Sequence, residues 1–289
     1  MRKLIQATAT VSLLGLSAAA AATPLVVTPT SSATDLIDEI LGAGITVTAG
    51  SENYIGVSNQ SGVFSGGIAA GLGFDSGIIL TTGSALLPTS TNSADNSSTT
   101  TNSGSNAELE AIGGLATNDQ AVLSFDFETT GGDVFFDFIF ASEEYNEFIN
   151  AGVNDVFALL VDGTNIALAP NGDFVSIDTV NCGNPFSSAD NNCASFNNND
   201  LNDGGPFFDL AYDGFTDAFT ASALGLSAGT HSMTFAIADG GDSVWDSAVF
   251  IAANSFTDTV PDGTVPEPGI LFLLGSGLLG LAGLRRRVV

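Results

Sequence analysis

Runs of apolar residues, several of them alternating with polar ones, fill the middle of the chain and predict β-strands. The clearest are residues 121–127, Ala-Val-Leu-Ser-Phe-Asp-Phe, where apolar and polar residues alternate, and residues 134–140, Val-Phe-Phe-Asp-Phe-Ile-Phe, where β-branched and aromatic residues mix. Similar runs cover residues 45–48, 77–81, 156–161, 165–169, 174–177, 230–238 and 247–256. β-Branched and aromatic residues favour a pleated, half-buried surface, and Gly, Asn and Asp between the runs predict turns. The pattern predicts an all-β fold, an antiparallel β-sandwich that is jelly-roll-like.

One or two short helices are predicted beside the strands. Thr34 or Asp35 is expected to cap a helix over residues 36–41, and Asn106 to cap one over residues 107–112. Residues 89–106 are almost wholly Thr, Ser, Asn and Gly. Because such a segment buries little apolar area, we expect a mobile surface loop there.

Both ends of the chain carry the pattern of a targeting signal. Arg2 and Lys3 precede an apolar run and several alanines, which predicts a secretory signal peptide over residues 1–22 that signal peptidase removes. The other end carries, in order, Pro266, Glu267 and Pro268, an apolar stretch over residues 269–284, and Arg285, Arg286 and Arg287. By the positive-inside rule these arginines stay in the cytoplasm, so we expect this helix to insert transiently into the inner membrane.

The arrangement over residues 261–289 resembles a PEP-CTERM sorting signal, because Pro-Glu-Pro, an apolar helix and an arginine cluster occur together. The resemblance implies export in a Gram-negative bacterium and processing by an exosortase near residues 266–268. It implies delivery to the cell surface or the extracellular matrix, and it carries no information about activity.

The charge of the chain excludes several classes of partner. The sequence has 32 Asp and Glu against 5 Lys and Arg, a formal net charge of −27, and no Lys or Arg lies between Leu4 and Leu284. A nucleic-acid binder neutralises phosphates with cationic side chains, so DNA and RNA are excluded as partners. The predicted exported domain, residues 23–260, is therefore a polyanion without internal counter-ions.

Four acidic segments lie beside aromatic strands. They are residues 140–148 (Phe-Ala-Ser-Glu-Glu-Tyr-Asn-Glu-Phe), 154–157 (Asn-Asp-Val-Phe), 212–216 (Tyr-Asp-Gly-Phe-Thr) and 237–250, which begins Ile-Ala-Asp and ends Asp-Ser-Ala-Val-Phe. In this order they resemble the choice-of-anchor L domain, over about residues 35–256. The resemblance implies an exported bacterial domain joined to varied surface-sorting tails. It supplies no catalytic residues.

Crowded carboxylates without Lys or Arg repel one another, and a divalent cation is the simplest way to neutralise them. Ca²⁺ takes six to eight oxygen ligands, which acidic Gly-rich turns supply. We therefore hypothesise a structural Ca²⁺ site, whose candidate ligands are Glu143, Glu144, Asp155, Asp239, Asp242 and Asp246. The alternative, that these acids cap turns and solvate loops, stays open.

Cysteines, histidine and aromatic residues complete the sequence predictions. Cys182 and Cys193 are the only cysteines, so a disulfide is expected in an exported chain, stabilising the fold by up to about 3 kcal/mol. His231, the only His, is expected to be a packed or turn residue, which disfavours a hydrolytic triad or a zinc site. Three aromatic residues of the acidic loops are candidates for stacking against sugar rings, namely Tyr145, Tyr212 and Trp245, and for Trp245 a hydrophobic plug beneath an acidic loop is the favoured alternative.

These observations favour an exported structural or adhesive module of the cell surface or extracellular matrix, not an enzyme. A Ca²⁺-dependent carbohydrate-binding domain for extracellular polysaccharide is the alternative. A glycoside hydrolase that uses two of the acidic residues is the third reading, since a carboxylate pair about 5 to 9.5 Å apart suffices for that chemistry.

Overall fold

Two antiparallel sheets pack face to face in the computed structural model, which describes residues 24–260. The strands in chain order are β1 (Val26–Pro29), β2 (Thr46–Val47), β3 (Asn53–Ile55), β4 (Ser61–Ser65), β5 (Ser76–Thr81), β6 (Thr117–Thr129), β7 (Gly132–Ser142), β8 (Val156–Val161), β9 (Thr164–Asn165), β10 (Val175–Ser176), β11 (Phe196–Asn198), β12 (Gly214–Thr216), β13 (Phe219–Leu226), β14 (Gly229–Gly240) and β15 (Ser247–Ala252). The first sheet has the order β1-β4-β5-β15-β7-β12-β11, with β13 also paired to β7. The second has the order β10-β8-β14-β6-β2, with β3 paired to β6 and β9 to β8. The predicted antiparallel sandwich is confirmed.

Side-chain alternation along the central strands divides the core into layers. Phe136, Phe138 and Phe140 of β7 enter the main core between the sheets, whereas Ile139 and Ala141 face the outer side of the first sheet. This is the period of two that a strand requires, and it explains the run of aromatic residues in the sequence. Aromatic contacts join the sheets: the ring of Phe136 in β7 packs edge-to-face on that of Phe235 in β14, with centroids 5.1 Å apart. The ring of Phe136 also stacks on that of Phe256, with centroids 4.3 Å apart.

The sequence predicted two of the three α-helices. Helix α1 (Ala33–Ile40) is capped by Ser32, whose Oγ accepts from the N–H of Asp35 at 3.2 Å, so the predicted caps at Thr34 or Asp35 are wrong by two or three residues. Helix α2 (Gly67–Ala70) is a single turn that was not predicted. Helix α3 (Ala107–Gly113) is capped by Asn106 as predicted, through Oδ1 and the N–H groups of Glu108 and Leu109.

Some strand boundaries differ from the predictions. Strand β15 ends at Ala252, four residues before the predicted end, because Phe256 turns inward to the core instead of continuing the ladder. Of the run over residues 165–169, only Asn165 lies in a strand. The strands that the alternation did not predict are mostly edge strands, namely β1, β3, β4, β11, β12 and β13.

The antiparallel pairing brings the acidic segments to one end of the sandwich. Ser142, the last residue of β7, pairs with Gly214 at the start of β12 and with Ser247 at the start of β15. In the second sheet, Ala238 near the end of β14 pairs with Val156 at the start of β8. The acidic segments follow or precede these residues, and we call this region the acidic end.

Within residues 24–260, no helix is long and apolar enough to cross a membrane. The predicted signal peptide over residues 1–22, the apolar helix over residues 269–284 and the arginine cluster over residues 285–287 lie outside the described residues.

Candidate metal centre

Five of the six predicted metal ligands lie buried at the acidic end. Glu143 and Glu144 follow β7, Asp155 precedes β8, Asp239 belongs to β14, and Asp246 precedes β15. Each of these side chains is at most 2% exposed. Acids that are as much as 103 residues apart in sequence, from position 143 to position 246, therefore share one buried region of the fold.

Asp242, the sixth predicted ligand, differs from the others. It is partly exposed, and its Oδ1 accepts a hydrogen bond from the backbone N–H of Val244 at 3.2 Å. For this residue the structure matches the alternative reading, an acid that caps its own turn.

Asp155 holds the end of β14 and the start of β15 together. Its Oδ1 accepts from the backbone N–H of Gly240 at 3.0 Å, and its Oδ2 accepts from the hydroxyl of Ser247 at 2.7 Å. Its own backbone N–H donates to Oε2 of Glu144 at 3.4 Å. The carboxylate therefore links the second sheet to the first at the acidic end.

The polar segment over residues 90–106, which we call the polar loop, covers several of these acids. The backbone N–H of Ser97 donates to Glu143 at 3.1 Å, and that of Thr99 donates to Asp246 at 2.9 Å. Asp119 accepts two more, from Thr101 at 3.0 Å and Asn102 at 2.7 Å. Backbone amides thus supply part of the positive potential that Lys and Arg do not. The mobility predicted for this segment stays a prediction, and the structure gives it defined partners.

Gly83 leaves room for Asp246 beside the polar loop. A Cβ built on Gly83 meets Oδ2 of Asp246 at 1.6 Å, a distance that no side chain tolerates. The backbone N–H of the next residue, Ser84, donates to the same oxygen at 3.4 Å.

A separate group of three acids has the geometry of a metal site, and none of its members is among the six predicted ligands. Asp95, Asp200 and Asp213 each place one carboxylate oxygen within 4.8 Å of the other two. In residues 24–260 this is the one group of three or more His, Cys, Asp or Glu side chains so placed. The predicted ligands lie beside it: Glu143 is close enough to both Asp95 and Asp213 for their charges to interact.

Local structure explains how Asp200 and Asp213 meet. Asp200 follows β11 and Asp213 precedes β12, and these strands pair, so the segment between them closes back on itself. The buried side chain of Asn199 ties this connection together: its Oδ1 accepts from the N–H groups of Phe207 and Phe208, and its Nδ2 donates to two carbonyls on the returning side.

Sequence signals for this group exist but are weak. Asp213 lies in the motif over residues 212–216, and Asp95 is the single acid of the polar loop. Asp200 stands in an Asn-rich segment like many other loop acids. Their convergence depends on the docking of the polar loop, which no local pattern reports.

The buried carboxyls at this end have raised pKa values. Burial raises the pKa of Glu143 to about 8, with the charge of Asp246 adding to the effect and the hydrogen bond from Ser97 opposing it. Burial and the charge of Glu143 raise the pKa of Asp213 to about 9. For Asp246, hydrogen bonds from Thr99 and Ser84 oppose the effect of burial, and the pKa rises to about 6.

The remaining buried carboxyls show the same direction. Burial raises the pKa values of Glu144, Asp155 and Asp239 well above their ordinary range, and repulsion by neighbouring carboxylates adds to the effect. Without a cation, these carboxyls must therefore stay protonated in the folded protein at neutral pH, or their mutual repulsion destabilises the fold.

The structure does not present all three predicted stacking residues to a ligand. Tyr145 and Tyr212 are fully buried, with 0% exposure, because they pack under the acidic loops as part of the core. They offer no ring face to a sugar in this structure. Trp245 is partly exposed, and its ring packs edge-to-face on Phe148 with centroids 4.2 Å apart.

The disulfide prediction is confirmed, since Cys182 and Cys193 are bonded with their Cα atoms 4.6 Å apart.

His231 lies at the opposite end of β14 from Asp239. Its Nδ1 is 2.6 Å from Oδ2 of Asp162, and its Nε2 is 2.9 Å from the carbonyl oxygen of Ser227. His231 is thus a packed, paired residue far from the acidic end.

Comparisons with known proteins agree with both resemblances seen in the sequence. The choice-of-anchor L domain matches residues 26–257, and the PEP-CTERM protein-sorting motif matches residues 264–287. No curated protein and no solved structure matches the chain. The family is one of surface-anchored proteins and is not a known enzyme family, and the sorting motif implies exosortase processing during export. The chain therefore belongs to the choice-of-anchor L domain family and is an exported, surface-associated protein.

Proposed function

We propose that this protein is a structural or adhesive module of the cell surface or extracellular matrix of a Gram-negative bacterium, and that Ca²⁺ stabilises its acidic end. One observation carries the proposal: buried carboxylates converge at one end of the sandwich, and the described residues contain no Lys or Arg to neutralise them. A divalent cation supplies the missing charge, and Ca²⁺ suits an all-oxygen ligand set.

The route to the surface uses both ends of the chain. Signal peptidase cleaves after Ala22, the helix over residues 269–284 inserts transiently into the inner membrane, and exosortase cleaves near residues 266–268. The match to the sorting motif supports the last step.

A structural role fits this arrangement better than catalysis does. Glu143 and Glu144, which a glycosidase reading requires, are at most 1% exposed, and the polar loop occupies one oxygen of Glu143. A sugar has no access to them in this structure. The single histidine is paired with Asp162 at the other end of the sandwich.

Carbohydrate binding that depends on Ca²⁺ is the second candidate. The partial exposure of Trp245 next to Asp246 favours it, whereas Tyr145 and Tyr212 are buried and the ring of Trp245 packs on Phe148. Binding on a glycan array that disappears with EDTA and in Trp245→Ala supports this candidate. Absence of binding leaves the structural role.

The Ca²⁺ proposal is tested by melting the purified protein in EDTA and in excess Ca²⁺. A ligand at about 100 times its Kd stabilises a fold by about 2.7 kcal/mol. For a domain of this size we expect the Tm to rise by about 5–10 °C. Isothermal titration calorimetry of the EDTA-stripped protein should show a heat of binding. Neither a heat nor a Tm shift overturns the proposal.

A further inference from the structure

Three segments that are distant in sequence meet around one small group of oxygens. Asp95 lies on the polar loop, Asp200 follows β11 and Asp213 precedes β12. Asn202 joins the first two segments, because its Nδ2 donates to Oδ2 of Asp95 at 2.6 Å. Asn92, also of the polar loop, donates from Nδ2 to Oδ1 of Asp213 at 2.5 Å. These amides orient one oxygen of each carboxylate.

Two oxygens of the group lack partners, Oδ1 of Asp95 and Oδ2 of Asp213, whereas both oxygens of Asp200 accept hydrogen bonds. Nine buried side-chain polar atoms have no hydrogen-bond partner among the described residues. Five of them belong to this neighbourhood, and all five are oxygens: Asp95 Oδ1, Glu143 Oε1, Asn146 Oδ1, Glu147 Oε2 and Asp213 Oδ2. Buried polar atoms are nearly always paired, so a concentration of unpaired acceptors at one place indicates a missing donor or cation.

Asn146 links the segment after β7 to the same group. Its side chain is 2% exposed, and its Nδ2 donates to Oδ1 of Asn198 at 2.9 Å, to Oδ2 of Asp203 at 3.0 Å and to Oδ2 of Asp200 at 3.4 Å, whereas its Oδ1 has no donor. Glu143, with 0% exposure, lies close enough for its charge to interact with Asp95 and Asp213, and its Oε1 has no donor. Asp213, with 0% exposure, is itself a member of the group and leaves Oδ2 free.

We infer that Asp95, Asp200 and Asp213 bind one Ca²⁺ ion, which fastens the polar loop to the segment between β11 and β12. The inference rests on the proposed function and assigns the ion to residues that the sequence did not single out. It also assigns the ion to this group and not to Asp155, whose hydrogen bonds join β14 to β15.

The chemistry of the group selects Ca²⁺ among the common metals. All available ligand atoms are carboxylate or amide oxygens, the set that Ca²⁺ prefers. Zinc and copper favour His or Cys, but both cysteines are in the disulfide and His231 is at the opposite end. Mg²⁺ demands near-ideal octahedral geometry, whereas Ca²⁺ accepts six to eight ligands about 2.4 Å away, so that opposite ligands stand about 4.8 Å apart.

The inference has a mechanical consequence for the polar loop. Asp95 is the only acid of the loop in the group, so an ion there is the strongest bond between the loop and the connection over residues 199–213. The backbone donors of Ser97 and Thr99 to Glu143 and Asp246 depend on the same docking. Loss of the ion should therefore release the loop and expose it to proteases.

The site is tested by calorimetry on the purified, EDTA-stripped protein with CaCl₂ as the probe. We expect one tight ion in the unmodified protein, weakened more than tenfold in Asp95→Asn and Asp213→Asn, since even outer-shell changes cost about 10–100-fold in metal affinity. Asp190→Asn is the matched control, because Asp190 is exposed and makes no side-chain hydrogen bond in the structure. Asp239→Asn tests the neighbouring carboxyls. Asp190→Asn and Asp239→Asn should both bind Ca²⁺ as tightly as the unmodified protein.

Limited proteolysis with a protease of broad specificity gives an independent readout, since trypsin has no site in the loop. Ca²⁺ should protect the loop in the unmodified protein and in Asp190→Asn but not in Asp95→Asn. This variant changes only a loop residue, so the sandwich should still fold.

The outcomes separate the two proposals. Normal affinity in Asp95→Asn and Asp213→Asn, with a loss in Asp239→Asn, overturns this site and leaves the proposed function standing. No Ca²⁺ binding in the unmodified protein overturns both.

Discussion

Buried charge is balanced differently at the two ends of the sandwich. His231 lies at one end and Asp239 at the other, and both belong to β14, where they are eight residues or roughly 26 Å apart. At one end, which we call the paired end, His231 and Asp162 form a pair at 2.6 Å, and Ser227 accepts the second ring N–H. At the acidic end, Glu143, Asp213 and Asp239 each leave one buried oxygen without a partner.

The difference shows which charges local structure can satisfy. Asp162 lies at the turn after β8, and its Oδ1 also accepts from the backbone N–H of Ser232 at 2.9 Å on the neighbouring strand. The pairing of β8 with β14 therefore suffices to bring Asp162 to its hydrogen-bond donors. The acidic end has more acceptors than the surrounding backbone has donors, so its charge balance requires protons or a cation from outside the chain.

The largest difference between the ends should appear when one buried acid is truncated. Asp155→Ala leaves the N–H of Gly240 and the hydroxyl of Ser247 without an acceptor, and each unpaired buried donor costs about 1–3 kcal/mol. We expect a loss of about 2–4 kcal/mol in the free energy of unfolding, measured by urea denaturation in EDTA. Asp155→Asn, which keeps an acceptor, should lose less. A loss no larger than that in Asp162→Ala contradicts the comparison.

For each carboxyl and each pH unit, a smaller effect is expected from pH in the absence of metal. Glu143 and Asp213 have raised pKa values in the folded state, so the folded protein binds more protons than the unfolded chain between about pH 4 and 9. Stability should therefore fall as pH rises, by up to about 1.4 kcal/mol per pH unit for each carboxyl that titrates.

Urea denaturation in EDTA from pH 6 to 9 measures this slope. Saturating Ca²⁺ should flatten it, because the ion takes the place of the protons, and Glu143→Gln should reduce it. A rise of stability with pH in EDTA contradicts the interpretation of the acidic end.

The smallest effect should come from the paired end. The hydrogen bond with Asp162 raises the pKa of His231, so its stabilisation is complete below about pH 6.5 and is lost as pH rises through the folded pKa. The same bond lowers the pKa of Asp162, whose stabilisation is present above about pH 3.9 and is lost as pH falls through its folded value. The pair should stabilise most between about pH 4 and 6.5.

Because the side chain of Asp162 is 50% exposed, His231→Gln should cost less than about 1 kcal/mol at pH 5.5. Melting in saturating Ca²⁺ isolates this effect from the acidic end, and the difference from the unmodified protein should shrink at pH 8.5. If His231→Gln lowers the stability equally at pH 5.5 and at pH 8.5, the pair acts through packing and not through charge.

Strand prediction succeeded for the long central strands and failed mostly for short ones. Both faces of β7 are buried, one in the main core and the other on the outer side of the first sheet, and the run over residues 134–140 located the strand to within two residues at each end. Strands such as β12, with three residues, are fixed by pairing with β7 and β11 and leave little periodic signal. The cap of α3 was predictable because Asn106 acts on its own helix, whereas that of α1 depended on which of several neighbouring polar residues reached the backbone.

The sequence alone determined what depends on local pattern and composition. Alternation set the all-β sandwich, the two cysteines set the disulfide, and the charge excluded nucleic acid. The motifs indicated the family and the sorting signal. Only the tertiary structure decided which acids share a site. Asp95, Asp200 and Asp213 are separated by 105 and 13 positions, and they meet because the polar loop docks on a connection that Asn199 folds back. Such long-range contacts depend on packing between segments, which no local pattern along the chain encodes.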